Sequence, residues 1–249
     1  MLISSALRVF LIPLLLPLPG LAQQKPTMTS ATISPGKTLF VNVGCEQKQE
    51  TNPIFSPVSL SEQGTWSAYV EVDLGSRLCL STTRLWVSKA GSPYRLVYMM
   101  PPKRMAQRNG MEILGWARNS NMLLVMTQQW QVGSDAPEDQ QVLAIDAETG
   151  IVYEPNLSEL LEPRQGKQCS FHVTDAGFSS EGDVDILVRA RFATWFDEDE
   201  ALEDVPPAKR CGNFEETWSF NFATGEIKTV ANTDSLQIFK KFLPNPKEK

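Results

Sequence analysis

Short apolar runs separated by polar stretches rich in Gly, Pro, Asn and Ser fill most of the chain, and few segments repeat with a helical period. The runs "TWSAYVEV", "RLWVSKA", "YRLVYMM", "NMLLVMT", "QVLAID", "DVDILVRARF" and "ETWSFNF" read as strands, being rich in β-branched and aromatic residues between turn formers. One short helix is predicted at "PNLSELLE", where Asn156 or Ser158 caps a turn carrying Leu157, Leu160 and Leu161. The pattern as a whole predicts an all-β architecture with long loops.

Three stretches superimpose without a gap: "LSEQGTWSAYV" (Leu60 to Val70), "WARNSNMLLVM" (Trp116 to Met126) and "FSSEGDVDILV" (Phe178 to Val188). A bulky apolar residue leads each one, Gly64, Ser120 or Gly182 follows four places on, and an apolar strand begins two places after that. Gly64 and Gly182 suit equivalent turns with positive φ, a conformation that the aligned Ser120 rarely adopts. The runs that follow suit strands covered on both faces. A shorter version stands at "ISPGKTLFV", Ile33 to Val41.

Further along each copy a strand ends in a tight turn, at Gly91, Gly150 and Gly225. Trp86, Ile145 and Phe220 stand five residues before these glycines, and Leu143 and Trp218 two residues earlier on the same strand face. Each copy therefore reads as four antiparallel strands, with units at approximately 54–100, 110–154 and 169–231 of a single repeat domain spanning 23–249.

The leading positions lie 56 and then 62 residues apart, somewhat longer than common propeller repeats. With "ISPGK" at Ile33 and "FSSEG" at Phe178, the chain resembles the TolB-like, WD40-like group of β-propeller repeats. Blades of that group carry an apolar-Ser-Pro-Asp-Gly turn before an apolar strand. The resemblance implies a propeller-like array of about three to four antiparallel four-stranded units. An antiparallel β-sandwich is the alternative, since it shows the same turn glycines before apolar strands. Three units and a fragment leave three ways to finish the array. The N-terminal fragment pairs with "LQIFKKF" in a fourth blade, the array stays open, or two chains associate.

The first residues, "MLISSALRVFLIPLLLPLPGLAQQ", carry one charge at Arg8, an apolar run from Val9 to Leu18, and Gly20 and Ala22 ahead of Gln23. This reads as a signal peptide over 1–22, with cleavage after Ala22 and a secreted or periplasmic destination. A membrane span needs about 20 apolar residues, twice this proline-interrupted run. Removing Arg8 with the leader leaves 22 basic against 29 acidic side chains, a net charge of −7. Such a surface repels nucleic acid, and the basic clusters at Lys103 and Lys240 are short.

Four cysteines in an exported chain allow three complete pairings. Cys45 and Cys79 flank the turn motif of the first unit as Cys169 and Cys211 flank that of the third, and the second of each pair lies seven residues before Trp86 or Trp218. The match favours bridges Cys45–Cys79 and Cys169–Cys211. Zinc is the alternative, although the chain has no Cys-x-x-Cys.

Candidate chemistry is sparse. His172 is the only histidine and reads as structural or superficial, and no nucleophile elbow, zinc-protease motif or phosphate loop is present, so neither cofactor nor catalytic residue is assigned. In "DEDEALEDVPP" the acidic residues from Asp197 and Asp199 onward read as a solvated loop, with a calcium site as the competing possibility. Trp130 and Trp195, at loop entrances, join Asp197 and Asp199 as candidate ligand contacts, while most of the other tryptophans read as core or turn anchors. The function expected is a non-enzymatic binding or scaffold module that meets a protein or glycan partner through long loops. The competing class is a hydrolase or lyase that uses paired carboxylates.

Overall fold

The computed structural model describes residues 53–73, 81–101, 107–131, 139–157, 169–179, 185–194, 214–231 and 236–247, together with Glu203, Pro206, Pro207, Arg210 and Cys211. The protein is all-β, built from three antiparallel sheets that follow one another along the chain. The first contains β1 (Ile54–Phe55), β2 (Val58–Leu60), β3 (Trp66–Asp73), β4 (Thr82–Lys89) and β5 (Arg95–Met100), with β1 and β2 both beside β3. The second is β6 (Gln107–Trp116), β7 (Met122–Gln131), β8 (Asp139–Asp146) and β9 (Val152–Tyr153); the third is β10 (Cys169–Phe178), β11 (Asp185–Thr194), β12 (Phe214–Asn221) and β13 (Ile227–Val230). In the second and third sheets every strand pairs with its sequence neighbour, and in the first the meander runs from β2 to β5 with β1 skipping β2 to pair with β3. Among the described residues no helix is long and apolar enough to cross a membrane.

Side-chain alternation explains how the sheets stack. In β3, Trp66, Ala68, Val70 and Val72 pack with Leu123, Val125, Leu143 and Ile145 of the second sheet. From the other side of that second sheet, Met122, Leu124, Met126, Val142 and Ala144 pack with Ile186, Val188, Ala190 and Phe192 of the third. The unbroken apolar run "MLLVM" is thus a strand buried on both faces, as its composition implies. Polar links tie the same layers. Gln129 Nε2 donates to Asn109 Oδ1 at 3.3 Å, Asn109 Nδ2 reaches the Met100 carbonyl at 3.1 Å, and Gln140 Oε1 accepts from the Val173 amide at 2.9 Å.

The first hairpin of each unit shows where the gapless alignment fails. Leu60 pairs with Ser67 and Trp116 with Leu123, seven residues on, whereas Phe178 pairs with Ile186, eight residues on. The third turn therefore holds one extra residue. Gly64 has φ +70°, but in the second unit the positive φ falls on Asn119 (+56°), one place before Ser120. Asparagine tolerates that region and serine does not. Gly182 lies outside the described residues, as does the expected helix beyond Leu157.

"LQIFKKF" does not build a fourth blade with described residues. After Leu236 it crosses the ends of the three leading strands in turn. Gln237 exchanges backbone hydrogen bonds with Phe178 (2.8 and 2.9 Å), Phe239 does so with Trp116 (2.8 and 3.0 Å), and the Leu60 amide donates to the Lys241 carbonyl (2.8 Å). β14 (Phe242–Leu243) then pairs with β2. Alternate residues of one extended strap thus meet the leading position of each unit, in reverse order. Close approach requires a small residue just before each leading position, and Ser59, Gly115 and Gly177 stand there. A Cβ on Gly177 would lie 2.9 Å from Leu236 Cβ. Ser59 Oγ accepts a hydrogen bond from Trp116 Nε1 at 3.1 Å, which joins the first two sheets beneath the strap.

Candidate functional site

The residues singled out from the sequence are scattered. Trp195, Asp197, Asp199, Cys45 and Cys79 lie outside the described residues, and Trp130 and Cys169 are described through their backbone alone, at the ends of β7 and β10. Cys211 is buried and disulfide-bonded, while the side chains of the three other cysteines lie outside the described set. His172 is exposed on β10, opposite Arg191. Among the described residues no group of three His, Cys, Asp or Glu could hold a metal ion.

What the fold does assemble is an aromatic face on the outer side of the first sheet. Register makes Ser67, Leu123 and Ile186 equivalent, since each pairs with the leading residue of its unit. In the second and third units this position and the next one on the same strand face, Val125 or Val188, are buried against the preceding sheet. In the first unit the same face reads Ser67, Tyr69, Glu71 and Asp73. On β4, Trp86 pairs with Tyr69 and Arg84 with Glu71, and Phe55 of β1 also pairs with Glu71.

Tyr69 is the hub of this face. Its ring contacts Phe55 edge-on (centroids 6.0 Å apart), Tyr94 edge-on (4.8 Å) and Trp86 nearly parallel (6.4 Å). Ser67 Oγ donates to the Tyr94 hydroxyl at 3.0 Å and fixes that ring in turn. Beside the rings, Arg84 Nη1 lies 2.9 Å from Glu71 and 3.4 Å from Asp73, a clamp across β3 and β4 that holds two carboxylates along one edge of the cluster. Both carboxylates are tied to the same guanidinium, so the pair acts as a cross-strand clamp.

The cluster holds a cation from its own chain. Asn245, 3 % exposed, donates through Nδ2 to the Ser56 carbonyl (2.8 Å) and accepts from the Lys247 amide (3.0 Å), a turn that folds the chain back over the first sheet. The Lys247 ammonium then donates to Tyr69 Oη at 2.6 Å and lies 5.4 Å from the Phe55 centroid and 5.8 Å from that of Trp86. It is 4.9 Å from the Tyr69 centroid. With so short a bond to the hydroxyl, it sits off the end of that ring rather than above its face. Tyr69 therefore acts as a hydrogen-bond acceptor, and Phe55 and Trp86 supply the attraction of ring faces for a cation.

Two clefts lie between the first and second units, away from this face. One of about 190 Å³ lies between the first turns of units one and two, lined by Ser61, Glu62, Thr65, Asn119 and Asn121. Another of about 150 Å³ lies between Tyr98, Met100, Thr127, Gln141 and Glu154. Both fall below the ~300 Å³ at which pockets begin to enclose a small ligand.

Turn chemistry repeats in units two and three. Asp146 Oδ1 accepts from the amides of Glu148 (2.8 Å) and Thr149 (3.3 Å), and Asn221 Oδ1 accepts from Ala223 (3.1 Å) and Thr224 (2.9 Å). Each turn is closed by an Asn–Asp pair at 2.6 Å, Asn121 to Asp146 and Asn221 to Asp185, with donor and acceptor exchanged between strands. From the first sheet, Arg95 Nη2 donates to the carbonyls of Ala147 (2.5 Å) and Glu148 (2.7 Å), clamping the second unit's turn. Partial burial opposes ionisation of Asp146, but the Thr149 and Glu148 hydrogen bonds and the Arg95 charge together outweigh it and lower its pKa below the ordinary 3.8.

A lowered folded-state pKa contributes stability that is complete above the unfolded pKa and is lost as pH falls through the folded value. Asp146→Asn keeps the turn acceptor that Asn221 supplies in the third unit but removes the charge. It is expected to destabilise by about 1 kcal/mol at pH 7 and by nothing measurable near pH 2. Urea midpoints of both proteins at the two pH values check this, and an unchanged difference would deny the carboxylate its role.

Sequence reading missed the aromatic face. Counting back from the turn glycines aligns Trp86 with Ile145, but register aligns it with Leu143: Trp86 pairs with Tyr69 and Leu143 with Val125, each two places after the partner of its unit's leading residue. Leu143 is fully buried against the first sheet, whereas Trp86 is half-buried on the outer side of its own. The available signal was Tyr69 standing between Ser67 and Glu71, an aromatic on an otherwise polar strand face. No protein-family model and no curated protein matches the chain.

Proposed function

We propose that the chain is an exported, non-enzymatic binding or scaffold module that recognises a protein or glycan partner, with the outer face of the first sheet as a recognition surface. One observation carries this reading. The face that the other units bury as aliphatic core is, in the first unit, a cluster of Phe55, Tyr69, Trp86 and Tyr94 edged by Glu71 and Asp73. Rings fixed on a rigid sheet with polar groups beside them suit stacking on a sugar or contact with a basic side chain. The apolar leader supports export. Oxidation of Cys211 supports an oxidising compartment. The proposed partner of Cys211 is Cys169, on the matched placement of the cysteines in the first and third units.

The test is a binding screen of the chain from Gln23 onward against soluble glycans and a peptide library, read by tryptophan fluorescence. Saturable binding that Trp86→Ala weakens at least tenfold, with the thermal midpoint little changed, is expected. Turnover of a bound compound, or binding indifferent to Trp86→Ala and Tyr94→Ala, would overturn the reading.

A further inference from the structure

Resting on that reading of the outer face, we infer that the Phe55–Tyr69–Trp86 cluster is a site for alkylammonium groups, as carried by lysine side chains of a partner polypeptide, and that Lys247 occupies it in cis. Three features of the site select an ammonium over a neutral ligand. Two ring faces lie within 6 Å of the bound nitrogen, a distance at which a ring quadrupole attracts a cation. The Tyr69 hydroxyl, on a residue only 1 % exposed, presents an oxygen to the bound group at 2.6 Å, an acceptor that a bare apolar patch would lack. Glu71 and Asp73, both held by Arg84, place carboxylate oxygens along the edge of the cluster. A sugar would use the rings but gain nothing from their attraction for a cation.

Occupancy by Lys247 depends on little besides the cage. Its backbone is held by the Asn245 turn, Pro244, Pro246 and Lys247 itself are exposed, and Asn245 is the buried anchor. The side chain can leave while Asn245 stays in place. A ligand tethered this closely has an effective concentration in the millimolar range, so it masks the site from weak free cations and yields to a partner that makes further contacts. Lys247 thus sets a threshold for binding.

The experiment uses the chain from Gln23 to Lys249 and titrates Nα-acetyl-lysine methylamide, tetramethylammonium and methyl glucoside, read by tryptophan fluorescence and proton NMR. Lys247→Ala is expected to bind both cations at least tenfold more tightly than the native chain, with affinity falling as salt rises. Trp86→Ala added to Lys247→Ala should abolish the gain, and methyl glucoside should saturate neither protein. A chain ending at Pro246 serves as a second opened form and should match Lys247→Ala, and thermal midpoints confirm that both remain folded. Equal cation affinity in native and opened forms, or glucoside binding as strong as cation binding, would overturn the inference. If a screened ligand binds the native chain, is lost in Trp86→Ala and is unaffected by Lys247→Ala, the recognition surface stands and the lysine site does not.

Discussion

Gly115→Ala is expected to destabilise the protein by about 3 kcal/mol or more, the largest effect of a methyl group added at any of the described glycines. Gly115 has φ +145°, and a Cβ there would lie 2.6 Å from the Phe239 carbonyl oxygen and 2.7 Å from Ile238 Cγ1. Two penalties therefore add: strain at a positive φ and collision with a backbone that is itself hydrogen-bonded to Trp116. Gly64→Ala is the matched control. Its φ is +70° but no atom lies within 4 Å of the added carbon, so strain alone remains, about 1 kcal/mol. Denaturant midpoints of the two variants, measured at equal slope, separate the terms. Equal losses would mean that the strap yields to the methyl group and is not held against the second sheet.

Ending the chain at Ala231 is expected to abolish cooperative unfolding altogether. Five backbone hydrogen bonds join the strap to Phe178, Trp116 and Leu60 before β14 is counted. At about 1 kcal/mol each, their loss approaches the whole stability of a typical domain. The truncation also uncovers Trp116 and Phe178, both buried. A synthetic peptide of residues 236–247 should restore a folded state when added, because it would complete the same three strand ends by β-augmentation. A truncated chain that unfolds at the native midpoint would show that the strap is an ornament. Rescue by the peptide with Phe239 changed to proline, which lacks the amide that Trp116 accepts from, would show that the pairing is unspecific.

Local physics made much of the fold legible. The continuous apolar character of "MLLVM" marks a strand with two buried faces, and Gly91, Gly150 and Gly225 all take the positive φ that their turn positions suggest, between +72° and +79°. The extra residue in the third hairpin was not legible, because a surface turn absorbs an insertion without disturbing the apolar pattern on either side. The strap escaped for a different reason. Gln237, Phe239 and Lys241 meet their partners through backbone atoms, which leave no trace in side-chain chemistry. The trace lay instead in Ser59, Gly115 and Gly177, one residue ahead of the aligned stretches. The aromatic face was hidden because the position that Trp86 shares by register with Leu143 is core in the second sheet, which packs on the first, and half-buried in the first sheet of the described residues. Strand alternation gives the face of a sheet but not its place in a stack.

A ribosome delivers the strap after all three sheets, with Asn245 meeting Ser56 across 189 residues of sequence. Contacts that distant form late and slowly, whereas each meander is made of neighbours and forms early. Until the strap emerges, the chain is a string of three meanders with open ends, easily kept extended and easily cut. Completion is a single late event shared by every unit, so a chain terminated before the strap leaves all three leading strand ends without their backbone partners at once.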